Sequence, residues 1–295
     1  MGIDTQLRGI VSLLDDTDEE VIKAINSHLL SKGTPIIDDL NILYRREKSK
    51  DIRARIANKI SFLDNEFTLI SLKKIAPQKE INLIDGIALI SKLVLPEINK
   101  DEFENKILSF INDLLPSITE DKQPEELMDI YNHYFFHRLL FKITDITTLH
   151  ESTLSVYNTI NSRNGSAISI TLIYFIIARL SGIQIYPLCF KGGLIPVYVK
   201  NNKILFYIDI FKKGEIFNED KLISFFEGQK SDNDSSIIFE VREDRVLTII
   251  YIETLIQFYS EKKKYKIVDI LNRAIEYFGD ERFLNIESDE EEEDF

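Results

Sequence analysis

Asn164–Val199, NGSAISITLIYFIIARLSGIQIYPLCFKGGLIPVYV, is the stretch that decides the fold. It opens on a turn of small residues, continues as an apolar helix, and passes into Ile-, Val- and Tyr-rich segments. A helix that is hydrophobic all round is a buried one. A buried helix running into strands predicts a mixed α+β core. The same layout can hold a nucleophile at the helix N-terminus, where free N–H groups and the helix dipole favour negative charge. Yet the turn has no cysteine, and all four histidines, His28, His133, His137 and His150, lie upstream of it.

Working outward, the strand character persists to residue 227. NNK between VYVK and ILFYIDI reads as a hairpin turn, and EDKLISFFEG closes the section as a helix. QKSDNDSS is a break. Arg245–Phe278 then reads as two helices, with Tyr251, Leu255 and Tyr259 recurring at helical spacing. The pair resembles one TPR-like unit. One unit cannot form a solenoid, so packing against the middle of the chain is expected. The tail NIESDEEEEDF has nothing to bury and is expected to be disordered.

Upstream, residues 7–75 read as paired amphipathic helices. Thr17 or Asp18 is an N-cap, Gly33 a stop, and Thr34–Pro35 a cap and first-turn pair. Their order is that of HEAT-type pairs or of an ordinary small bundle. Residues 81–115 continue helical. PSITEDKQPEEL marks a boundary, and LMDIYNHYFFHRLLF follows as a strongly apolar helix. The expected division is a helical region over 1–115, a middle domain over 116–228, a helical pair over 236–280, and a disordered acidic tail over 285–295.

The chain has 295 residues and a formal net charge of −13. That length predicts two or three domains. An acidic chain has no footprint for phosphate backbones, so nucleic acid is not an expected partner. A single cysteine, Cys189, excludes an internal disulfide framework. The first residues lack a signal-peptide layout, and Gln6 breaks the myristoylation pattern after Gly2. No apolar run reaches the ~18 residues of a membrane span. A soluble, cytoplasmic protein with no membrane partner is expected.

Four groups of residues bear on chemistry. His133 and His137, four apart, have a spacing that can hold a metal. The glutamate of an HExxH pattern is replaced by Tyr134, however, and no third ligand presents itself. Aromatic neighbours suggest a core-facing helix, so no metal is expected. Cys189 sits within a strand, away from any helix N-terminus or cation that would activate it. Gly192–Gly193 is a loop tip or a ligand-facing wall. Asp209, inside FYIDIF, orients a basic group, accepts backbone N–H groups, or meets water at a strand end.

Together these segments resemble the transglutaminase-like superfamily, in its SirB1-type branch. The branch's G-x-P-I-S-L-S-x-x-Y run, with an alanine and a glycine closing the same helix, matches Gly165, Ile168, Ser169, Tyr174, Ala178 and Gly182 in register. Asn132–His133 looks like its L-N-H helix, and His150–Ser155 like its D-P-x-x-S-Y segment. Asp209, Phe211 and Gly214 look like its I-D-P-F-x-x-G. The resemblance covers residues 115–228. It implies a papain-like helix-plus-antiparallel-sheet core, flanked by the helical N-terminal region and the C-terminal helical pair.

It also implies a thiol mechanism, in which a cysteine attacks an amide carbonyl, a histidine takes its proton and an aspartate orients the histidine. Here the cysteine position falls on Ala167 and the histidine position on Gly193; only Asp209 remains. The expected function is therefore non-catalytic: a protein- or peptide-interaction or scaffolding module with a degenerate cleft and no cofactor. Its candidate cleft residues are Gly165, Ser166, Ser169, Lys191, Gly192, Asp209 and Lys212. The alternative is a hydrolase or acyltransferase rebuilt around Ser166, Ser169 or Cys189, with His133, His137 or His150 as a distant base. A third reading has the acidic tail docking on a basic partner.

Overall fold

A computed structural model describes residues 7, 9–11, 13, 14, 17–78, 80–119, 121–144, 149–190, 192–227 and 239–284. The acidic tail, the QKSDNDSS break and Lys191 lie outside them. The helical N-terminal part holds α1 (Glu19–Ser31), α2 (Pro35–Arg46) and α3 (Lys50–Ile75). Asp18 caps α1, its carboxylate accepting from the Glu20 N–H at 2.8 Å. Gly33 takes the positive φ after α1, as a stop signal should. Thr34 makes no side-chain cap bond, because its own backbone is already helical at φ −57°, ψ −30°.

α3 runs through two cores. Ile56 and Leu63 pack with Leu29, Leu40 and Leu43 of α1 and α2. Leu69 and Leu72, further along, belong to the large core of the rest of the chain. α4 (Leu83–Val94) and α5 (Lys100–Leu114) pack there too. α6 (Pro124–Asn132) continues as one π-helical stretch, His133–Arg138, closed by the Leu139 N–H on the Tyr134 carbonyl at 2.8 Å.

Next come β1 (Lys142–Ile143), α7 (Glu151–Leu154), α8 (Val156–Ser162) and β2 (Asn164–Gly165), with β1 and β2 paired in parallel. α9 (Ala167–Leu180) is the predicted apolar helix, and its residues from Ser169 to Ala178 are all buried. Fully burying one such Ile or Leu side chain stabilises by about 1.5–3 kcal/mol.

The sheet follows: β3 (Ile185–Phe190), β4 (Gly193–Lys200), β5 (Lys203–Asp209), β6 (Glu215–Phe217), then α10 (Glu219–Glu227) and β7 (Glu240–Val241). The strand order is β6-β5-β4-β3-β7, antiparallel throughout. Asn201 and Asn202, at φ +52° and +59°, form the two-residue turn between β4 and β5. Positive φ at both central residues is what a type I′ hairpin requires, and Asn tolerates it.

The chain ends in α11 (Arg245–Glu261) and α12 (Tyr265–Glu276). The Tyr251–Leu255–Tyr259 stripe is buried and attaches α11 to earlier elements. The Tyr251 hydroxyl donates to the Leu154 carbonyl at 3.2 Å, and that of Tyr259 donates to Glu151 Oε1 at 2.7 Å. The fold is thus α+β, with helices at both ends around a helix-and-sheet core. Among the described residues no helix is long and apolar enough to cross a membrane.

Candidate functional site

The start of α9 is the place where the resemblance puts a nucleophile. Ser166 is its N-cap, with extended backbone at φ −69°, ψ 167°. Its Oγ accepts from the Ser169 N–H at 3.3 Å, the usual cap bond to the third helical residue. The Ser169 hydroxyl donates to the Thr153 carbonyl at 2.6 Å, and the Ser166 N–H donates to the same carbonyl at 2.8 Å. The two serine oxygens are 3.0 Å apart.

Gly165 admits no side chain: a Cβ there would meet Thr159 Cγ2 at 2.5 Å and Ser169 Oγ at 2.6 Å. Gly165, Ser166 and Ser169 are all buried. They are packing and capping groups rather than the open cleft wall that the sequence suggested, because α7 and α8 close over the turn. Ala167, the first residue of α9, carries no nucleophilic atom. Among the described residues, the hydrogen bonds of both serines run to backbone or to each other, not to an imidazole. Thr159 has no motif to mark it, and Thr153, inside the His150–Ser155 segment, has none that marks this role; the fold brings both to this turn.

The pleat of the sheet separates the other candidate positions from this helix. Side chains alternate between faces along a strand. Cys189, Leu194, Tyr198, Phe206 and Ile208 join the core shared with α9. Leu188, Phe190, Ile195, Val197, Tyr207 and Phe217 join the core on the opposite face, with Leu222 and Phe226 of α10. Gly193 pairs with Phe190, and Asp209, two residues after Tyr207, pairs with Glu215. Both therefore belong to the α10 face. A Cβ on Gly193 would meet the Phe190 ring at 3.1 Å. Leu194 is the neighbour that turns toward α9. The Gly193 and Asp209 positions thus lie on the other face of the sheet from the start of α9.

Gly192 has φ +100° and donates its N–H to the Phe283 carbonyl at 2.9 Å. The loop tip is held by the C-terminal segment. That segment is itself held by Glu253, a buried carboxylate that accepts from the Phe283 and Leu284 N–H groups at 3.0 Å each. Cys189 is 3% exposed, and burial pushes its thiol up to about 12. Thiolate, the reactive form, is then scarce at neutral pH.

Asp209 is half-buried and caps a short 3-10 turn, Ile210–Lys212, its Oδ1 accepting from the Lys212 backbone N–H at 3.2 Å. Of the roles foreseen for it, accepting a backbone N–H is the one it takes, from Lys212.

Beyond that turn, Gly214 at φ +82° abuts Asn132, whose Nδ2 donates to the Gly214 carbonyl at 2.7 Å. The Tyr174 hydroxyl donates to Asn132 Oδ1 at 2.6 Å, and the Tyr131 hydroxyl donates to the Tyr174 carbonyl at 2.5 Å. An open groove of about 540 Å³ borders this lock, lined by Asp129, Asn132, His133, His137, Lys212 and Glu215 among others. His133 and His137 are exposed on it, which corrects their expected core-facing position. Tyr134, Phe135 and Phe136 fill the core instead.

A model of the transglutaminase-like superfamily matches residues 101–250, which run from α5 into α11. In the corresponding comparisons, no curated protein and no solved structure matches.

Proposed function

The chain belongs to the transglutaminase-like superfamily, and from that premise we propose that it is a non-catalytic member acting as a protein- or peptide-interaction module. The observation that carries this reading is the first turn of α9. Ala167 stands where an attacking thiol would be, and the flanking hydroxyls are buried. The Ser169 hydroxyl is spent on the Thr153 carbonyl at 2.6 Å. A serine nucleophile needs a base within hydrogen-bond reach. Gly193 supplies none and Asp209 caps its own turn. Cys189, buried and with its thiol pushed up to about 12, is a poor substitute.

In this reading the chain is of the SirB1-type branch, with HEAT-like helices before the superfamily core and a TPR-like pair after it. The core takes roughly residues 116–228. The groove beside Asn132 and Lys212 is the contact surface, since it is the open hollow next to the Asp209–Lys212 turn.

The test is a turnover assay of the purified chain on glutamine peptides with and without a primary amine, following ammonia release and amine incorporation. Rates equal to those of the heat-denatured chain are expected. Turnover above that control, abolished by Ser169→Ala or by Asp209→Ala, would reverse the reading.

A further inference from the structure

We infer that His133 and His137 form a two-imidazole site for a divalent transition metal. The two side chains project from successive turns of one helical stretch, both exposed on the same groove. Their ring centres are 5.5 Å apart. An imidazole nitrogen coordinates zinc at about 2.0–2.1 Å, which puts the ring centre about 3.2 Å from the ion. Two such rings at a tetrahedral angle have centres about 5.2 Å apart. The observed separation is close to that, and the ring planes differ by 22°. Rotations about the outer side-chain bonds of two exposed residues would turn both nitrogens to one point.

The backbone beneath is fixed. Tyr131, Tyr134, Phe135 and Phe136 are buried on its other side, and the preceding residue, Asn132, is hydrogen-bonded to Tyr174 and Gly214. A rigid element holding two ligands in register loses little freedom when they bind.

The chemistry of the groove narrows the ion. Asp129 and Glu215 are matched by Lys212 and Lys213, and Glu215 already pairs with Lys221 at 2.7 Å. With Lys221 counted, these side chains carry no net negative charge to attract Mg²⁺ or Ca²⁺, which prefer oxygen ligands. Imidazole pairs suit Zn²⁺, Ni²⁺ and Cu²⁺. Among the described residues no group of three His, Cys, Asp or Glu side chains is placed to hold an ion. The ion would therefore keep open positions, filled by water or by a donor from an incoming molecule. This inference is independent of the non-catalytic reading: turnover would leave it intact, and failure to bind metal would leave that reading intact.

Calorimetric titration of the untagged full chain with Zn²⁺ and Ni²⁺ tests it. Binding of one ion per chain is expected, weakened at least tenfold in His133→Ala and in His137→Ala, and unchanged in His150→Ala. Mg²⁺ and Ca²⁺ are expected to give no saturable heat. Circular dichroism checks that the variants are folded, as exposed positions allow. Absence of saturable Zn²⁺ or Ni²⁺ binding, or equal affinity in the His133 and His137 variants, overturns the site.

Discussion

Asn132 clasps Gly214 across 82 residues of sequence, its Nδ2 donating to the Gly214 carbonyl at 2.7 Å while its Oδ1 accepts from Tyr174 at 2.6 Å. One side-chain amide so joins the end of α6, the middle of α9 and the turn after β5. Three residues of separate motifs form a single structural lock.

Replacing Asn132 by Ala leaves the buried Tyr174 hydroxyl without its acceptor. An orphaned buried polar group costs about 1–3 kcal/mol. Gly214→Ala is also destabilising, because its Cβ would run into the Asn132 amide and φ +82° disfavours any side chain. In the Asn132→Ala background the first of these penalties vanishes. Chemical denaturation of both single variants and the double variant should show a total loss smaller than the sum. Simple additivity would mean that the two residues are not coupled.

Gly165→Ala should destabilise by about 1–3 kcal/mol through overpacking, since Thr159 and Ser169 stand at 2.5 and 2.6 Å from the added carbon. Thr159→Ala in the same chain should recover part of the loss. A denaturation midpoint unchanged in Gly165→Ala would show the turn to be slack.

Asp209→Asn should be nearly neutral, within about 0.5 kcal/mol, because Asn caps as well as Asp. Asp209→Ala should cost about 0.5–1 kcal/mol through loss of the bond from the Lys212 N–H. This differs from the larger effect that a sequestered, charge-paired aspartate would give. A loss above about 2 kcal/mol for Asp209→Asn, read from urea denaturation, would instead mark a buried, charge-paired carboxylate.

Burial raises the Glu253 carboxyl above its ordinary value, while the Phe283 and Leu284 N–H groups act the other way. The folded state therefore holds the proton to higher pH than the unfolded chain does. Stability from this group is greatest below the ordinary glutamate value of about 4.3 and declines as pH rises toward the folded value. The stability of the wild type relative to Glu253→Gln should fall across that window. Urea denaturation of both at several pH values measures it. A difference that grows with rising pH would contradict the assignment.

Local chemistry made much of the fold legible. The apolar run of α9, the Asn201–Asn202 turn and the Asp18 cap are each specified within a few residues. Thr34, a cap residue by type, is no cap here, because the backbone there is already helical and the hydroxyl finds no N–H. His133 and His137 were drawn inward by their aromatic neighbours, yet His133 lies two residues, roughly 200° of helix, from buried Tyr131. The angle was in the sequence and the neighbours obscured it. β1, β2 and β7 are two residues long and carry no periodic signal. The division of Gly193 and Asp209 from α9 depends on which face the pleat presents, and a slip of one residue reverses that. Thr153 and Glu253 take their roles from partners 16 and 30 residues away, which spacing does not reveal.

The central claim is that the start of α9 offers no working nucleophile, and mass spectrometry of the covalently labelled native chain tests it most directly. The folded protein is treated with a serine-reactive fluorophosphonate and with iodoacetamide, then digested, with a urea-unfolded sample for comparison. The account predicts no label on Ser166 or Ser169 in the folded chain, and alkylation of Cys189 only on unfolding. Stoichiometric label on either serine, or fast alkylation of Cys189 in the folded chain, would contradict it.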